Sequence, residues 1–187
     1  MLEKEVNYRK SITFEFARAE IAFDEYFSLV SELMRRQNLN VKVSEKIKLF
    51  DSYARWCGHV YECMLTLVKI EEQNAITEES KYPETDKEIQ WEAEKSIRRY
   101  SALDREGTIT PVLNEDFAES LRIVRNKCSF HCTHSRVKTS FLKNFHEKHH
   151  HMTYWLFKEF SSMHIDMLNT DNLDLGEINN FYEIFNN

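Results

Sequence analysis

Glycine and proline are scarce in this 187-residue chain, with three of the first and two of the second; average usage is about 7% and 5%. Folds made of many short strands place both residues at their turns. The shortage therefore argues against a sandwich, a barrel or a doubly wound sheet. It excludes a glycine-rich phosphate loop more firmly, because Gly58, Gly107 and Gly176 stand far apart. Long apolar runs are missing as well: nothing approaches the ~18 residues that span a bilayer. The charged opening MLEKEVNYRK leads into no apolar core of a secretory leader, so none is expected. Cysteine is also sparse. Cys57, Cys63, Cys128 and Cys132 fall in helix-like segments. They read as reduced thiols of a cytoplasmic protein rather than a disulfide framework.

What the chain does hold is apolar residues at helical spacing. Hydrophobic residues make up 42% and aromatics 13%, enough for a sizeable core. Ile12, Phe16, Ala19, Phe23, Phe27, Val30 and Met34 step by threes and fours. Val43, Ile47, Phe50, Ala54, Cys57, Tyr61, Met64 and Val68 form a heptad seam. The two predict an antiparallel hairpin through the polar link Gln37 to Lys42, with Ser44 and Glu45 at the second helix start. An acidic loop holding Pro83 is expected from Glu71 to Asp86. A third helix then runs from about Thr85 to Leu103, and a second loop follows at 104–113. Asn114 is expected to cap a fourth helix carrying Phe117, Leu121 and Val124. A fifth is expected from about Ser135 to Ile165, its buried stripe running through Phe141, Phe145, His149, Met152 and Leu156. A polar C-terminal segment, 166–187, ends in a short helix near Glu177 to Phe185. The reading is all-α: one helical-bundle domain, 1–187, of five or six helices.

Charge is unevenly spread. Net charge is −6, yet Arg122 to Lys148 carries seven basic residues (Arg122, Arg125, Lys127, Arg136, Lys138, Lys143 and Lys148) and one acid, Glu147. Six of the eight histidines lie between His131 and His151. Such a block inside an acidic chain would attract a polyanion locally. A solvated, ion-paired helix face is the plainer alternative.

Within that block stands RNKCSFH, with Arg125, Asn126 and His131. The motif resembles the signature of the HEPN superfamily, helical-bundle proteins many of which are ribonucleases: Arg, four to six residues, then His, often with a polar residue directly after the Arg. The spacer here is five and the polar residue is Asn126. The resemblance covers the motif and the all-α architecture. It implies metal-independent endoribonuclease activity without a cofactor. His131 would be the acid/base group, Arg125 the phosphate and transition-state stabiliser, and Asn126 an orienting residue. It implies a homodimer in which two copies of the motif share a cleft. It also implies a toxin or anti-phage role under an antitoxin or other regulatory protein. Histidine titrates near neutrality and suits acid/base work, and arginine offers a bidentate fork to phosphate oxygens. Arg122, Lys127, Arg136 and Lys138 would hold the RNA backbone. On an unbroken α-helix, six residues at about 100° each would leave Arg125 and His131 about 120° apart. The helix must therefore break near Cys128–Ser129, or the site must be composite. A non-catalytic dimerisation or regulatory bundle remains the competing reading.

Two further patterns suggest metal. HEKHH fits H-E-x-x-H through His146, Glu147 and His150. The expected buried stripe turns His146 and His150 toward solvent, however, and Thr153 stands where the longer zinc motif has glycine. Cys128, His131, Cys132 and His134 are zinc-ligand types. Four ligands within seven residues cannot readily wrap one ion, and Cys57, His59 and Cys63 would have to help. No metal site is expected, and a metal-binding role for the His-rich segment is the minor alternative. His149 reads as a satisfied core or boundary histidine. Tyr154–Trp155 and Phe181–Tyr182 read as core aromatics.

Overall fold

The computed structural model describes residues 2–37, 40–71, 82–103, 113–129, 140–163 and 178. Among these the chain is an all-α bundle with no strand: α1 (Leu2–Arg35), α2 (Val43–Glu71), α3 (Tyr82–Leu103), α4 (Phe117–Val124) and α5 (Ser140–Met163), with a π-helical turn, Arg125–Ser129, continuing α4. No helix of the described residues is long and apolar enough to cross a membrane.

Helices α1 and α2 form the expected antiparallel hairpin. Their cross-pairs fall in reverse order: Glu15 with His59, Phe23 with Trp56, Tyr26 with Tyr53, Arg36 with Glu45. Gln37 and Asn40 turn the chain at positive φ (52° and 56°). Such angles are uncommon outside glycine but are tolerated by asparagine. Helix α2 starts with half of a capping box. Glu45, at the third helical position, accepts from the Lys42 backbone N–H at 2.7 Å. The same carboxylate takes Arg36 Nη2 at 2.8 Å, tying the end of α1 to the start of α2.

Helix α3 begins at Tyr82, so residues 82–86 of the expected acidic loop are helical. Pro83 explains the difference. In a first turn its missing N–H has no partner to lose, and its fixed φ suits the helix. The start of α4 also differs from expectation. Its N-cap is Asp116, which makes no side-chain cap bond. That carboxylate is instead occupied by Lys148 Nζ at 2.6 and 2.7 Å. A side chain of α3 does the capping: Gln90 Oε1 accepts from Ala118 N (3.1 Å) while Gln90 Nε2 donates to the Asn114 carbonyl (3.0 Å). The expected fifth helix is described from Ser140 to Met163. Residues 135–139, the 104–112 loop and, apart from Ile178, the final helix lie outside the described residues.

Helix α2 packs against every other helix and the π-turn. Its inner half supplies Ala54, Trp56, Cys57, Val60, Cys63 and Met64, all almost fully enclosed. Ile12, Phe16, Ile89, Phe117, Leu121, Phe145 and Leu156 join them in one cluster. Phe16 and Phe23 of α1 reach α5 through stacked and tilted rings of Phe157 and Phe160. Cys57, Cys63 and Cys128 are buried and outside any disulfide; burial pushes the Cys57 and Cys63 thiols well above their ordinary range. Four members of the expected inner stripes are exposed instead: Phe27 (58%), Met34 (70%), Val43 (71%) and Ile47 (62%). All lie toward the closed end of the hairpin, where no described helix covers those positions. Phe141 is likewise half out, and Leu142 is buried in its place.

Trp56 is the largest side chain with no solvent exposure. Trp56→Ala is expected to cost about 3–5 kcal/mol. Urea denaturation should show this as a lower midpoint with little change in slope.

Candidate functional site

The residues that carry the motif sit where α4 changes character. Arg125 closes α4, its backbone N–H shared between the carbonyls of Leu121 and Arg122, and opens the π-turn Arg125–Ser129. A π-turn widens the helix by one residue and recurs at functional sites. The helix changes from α to π geometry at Arg125 but remains helical through Ser129, so no break at Cys128–Ser129 lies within the described residues. His131 lies outside the described residues, as do His134, Arg136, Lys138 and Cys132.

Arg125 is held by two hydrogen bonds. Its Nε donates to Glu62 Oε1 at 2.7 Å and its Nη1 to Asn126 Oδ1 at 2.8 Å. The Arg125 side chain is 31% exposed and that of Glu62 23%. Asn126 therefore orients the arginine directly. Glu62 comes from the middle of α2, sixty-three positions away in sequence. Sequence reasoning missed it, although a signal was present. From Ser52 to Val68 the only ionisable side chains besides tyrosines and cysteines are Arg55, His59 and Glu62, and a helix so apolar keeps such groups only when they are paired.

The other basic residues of the block are engaged too. Arg122 Nε contacts both oxygens of Asp86 at 3.0 and 2.9 Å, with the two side chains 18% and 14% exposed. Burial raises the Asp86 carboxyl against the lowering effect of that arginine. Lys148 pairs with Asp116, and this hydrogen bond holds the Asp116 carboxyl below its usual range. Lys143 sits loosely beside Glu147 at 3.6 Å. Lys127 carries its ammonium over the Phe141 ring, 4.4 Å from the centroid, a cation–π contact. Of the five described cations in the block, four face a carboxylate.

The histidines of α5 depart in part from expectation. His146 is exposed, as expected, whereas His150 is half-buried. Their rings stack at 4.5 Å and 15° and lean into the α1–α2 cleft. His146 Nε2 lies 3.2 Å from the Tyr26 hydroxyl, and the His150 ring is 5.6 Å from Tyr53 and 5.7 Å from Trp56. The apolar stripe of α5 is broad enough to face both α4 and the hairpin, which a single line of apolar residues does not reveal. Burial lowers His146, and burial with the neighbouring His146 and His151 lowers His150 to about 4. His149 is buried at 1% exposure between Phe117 and Phe145, 3.8 Å from Asp116, and burial lowers it also. Among the described residues no three His, Cys, Asp or Glu side chains gather as a metal-ligand set. His59, buried on α2, binds Glu15 at 2.7 Å. Burial works against the Glu15 carboxylate, but the His59 and Arg18 contacts outweigh it and leave the carboxyl lowered.

No family model matches this chain, and neither the curated proteins nor the solved structures contain a match.

Two outcomes follow from this geometry. Glu62→Ala should cost about 1–2 kcal/mol of stability, because a half-exposed Arg125 regains water when its charged hydrogen bond is lost; chemical denaturation measures it. The lowered His150 takes up its proton less readily folded than unfolded. The unfolded chain therefore binds more protons between about pH 4 and the ordinary histidine range. Stability should fall as pH drops through that window, with a slope of up to about 1.4 kcal/mol per pH unit from this group. His146 and His149 act in the same sense, and His150→Gln should flatten the profile.

Proposed function

We propose that the chain is a metal-independent endoribonuclease of the HEPN type. The observation that carries the reading is the Arg125–Asn126 pair, fixed by Glu62 at the mouth of a π-turn late in an all-α bundle. The Arg125 side chain keeps partial exposure, which supports access by an anion, and the chain continues toward His131 within two residues of the turn. In this reading His131 moves the proton of the attacking 2′-hydroxyl or of the leaving 5′-oxygen. Arg125 stabilises the charge that gathers on the phosphoryl oxygens. Asn126 keeps the guanidinium aimed. The products carry a 2′,3′-cyclic phosphate and a 5′-hydroxyl. A homodimer bringing two motifs to one cleft, RNA backbone contacts from Arg122, Lys127, Arg136 and Lys138, and restraint by a regulatory partner in a toxin or defence setting all belong to the same proposal.

A second reading has its own support. Arg122 and Arg125 both face carboxylates, as expected of a non-catalytic bundle whose basic block is a structural ion-pair face. Incubation with single-stranded RNA in EDTA separates the two. Cleavage should persist without divalent metal and leave cyclic-phosphate ends. His131→Ala should lower the rate by about 10²–10⁴ and Arg125→Ala by about 10²–10³, with the thermal midpoint of the histidine variant unchanged. No cutting by the parent protein selects the second reading, and undiminished cutting by His131→Ala overturns the first.

A further inference from the structure

A roomy groove among the described residues lies away from the motif, at the closed end of the α1–α2 hairpin, where the first turns of α5 approach it. Its volume is about 720 Å³, a size that takes small molecules. Its walls are aliphatic at Val30, Met34, Leu49 and Leu142 and ring-lined at the inner end, where Tyr26 and Tyr53 are buried and His150 is half-buried, with the exposed His146 beside them. Every one of these residues is on a described helix.

Charge around the groove is polarised. The inner end offers no fixed charge: its histidines are stacked on one another and sit among tyrosine and tryptophan rings. The His150 Nδ1 is enclosed without a hydrogen-bond partner. At the rim stand two cations, Lys46 and Lys143, against one carboxylate, Glu147. No described carboxylate pairs with Lys46, and Lys143, 75% exposed, keeps only the 3.6 Å contact with Glu147. Burying an ionised group in the ring-lined end would be costly without a counter-charge, whereas an anion at the rim meets excess positive charge. Orientation follows: uncharged body inward, anionic head outward.

We infer that this groove is a binding site for an amphipathic monoanion of the medium-chain carboxylate class, its alkyl body lying between α1, α2 and α5 and its carboxylate between Lys46 and Lys143. The site is separate from Arg125 and holds whether or not the chain cleaves RNA. The open apolar surface of Met34 and Ile47 beside it is then the flank along which the chain enters.

The test is titration of the full-length protein with octanoate, decanoate and dodecanoate below their micellar concentrations, read by calorimetry. Binding should saturate at one ligand per chain and tighten about three- to fourfold per added methylene, as expected for buried CH₂ groups. Lys46→Ala should weaken dodecanoate about tenfold and leave 1-dodecanol unchanged. Val30→Trp, which fills the groove, should abolish uptake of both; circular dichroism and the thermal midpoint check that each variant folds. Several results would overturn the site: no saturable uptake, no dependence on chain length, or unaltered binding by Lys46→Ala or Val30→Trp. A parent protein that sediments as a dimer, takes up no dodecanoate and becomes monomeric on Met34→Asp would give the groove to a second copy and equally defeat the proposal.

Discussion

The enclosure of α2 is the constraint on which the rest depends. Over its inner half α2 is enclosed by the other helices, and a charge buried there needs a match, because desolvation without a partner costs several kcal/mol. Each ionisable group in its inner half accordingly dictates a neighbour. Arg55 meets Glu25 and Asp51, His59 meets Glu15, and Glu62 meets Arg125. The first two fix the register of α1 along α2. The third fixes where the π-turn lies. One buried helix therefore sets both the packing of the hairpin and the placement of the motif arginine.

The same neutralisation changes how the basic block is understood. A stretch that reads as strongly cationic in sequence is largely cancelled in space by acids from other helices: Asp86 of α3, Glu62 of α2 and Asp116 before α4. Its field toward a polyanion is weaker than seven positive residues suggest. A phosphate approaching Arg122 or Arg125 has to compete with a carboxylate already in place. Lys127, set over an aromatic ring, is the described member of the block with no acid beside it.

Much of the fold was legible in the sequence because helical periodicity is local. The hairpin, the heptad seam, the buried Cys57 and the enclosed His149 all follow from spacing. What was not legible depends on distant partners. Asp116 is drawn off by Lys148, so the cap of α4 comes from Gln90, and nothing near Asn114 announces it. Pro83 looks like a loop residue until the helix is seen to start beside it. Phe27, Met34, Val43 and Ile47 show which face of a helix is apolar, but not whether another element covers that face. The same limit hid the half-buried His150 and the contact of the exposed His146 with Tyr26. For the candidate site, Arg125 and Asn126 were found from their pattern. Glu62 was not, since only tertiary packing brings α2 against the end of α4, and His131 lies beyond the described residues.

The three enclosed cysteines carry a practical consequence. Cys57, Cys63 and Cys128 are deeply packed, and burial pushes the first two toward the protonated, unreactive thiol form. An alkylating reagent should find them silent in the native bundle and responsive only when helices separate. Since Cys57 and Cys63 lie on α2 and Cys128 in the π-turn, the order in which they become labelled would register whether the turn holding the motif opens by itself or only with the whole molecule. The protein thus contains its own chemical clock for local against global opening.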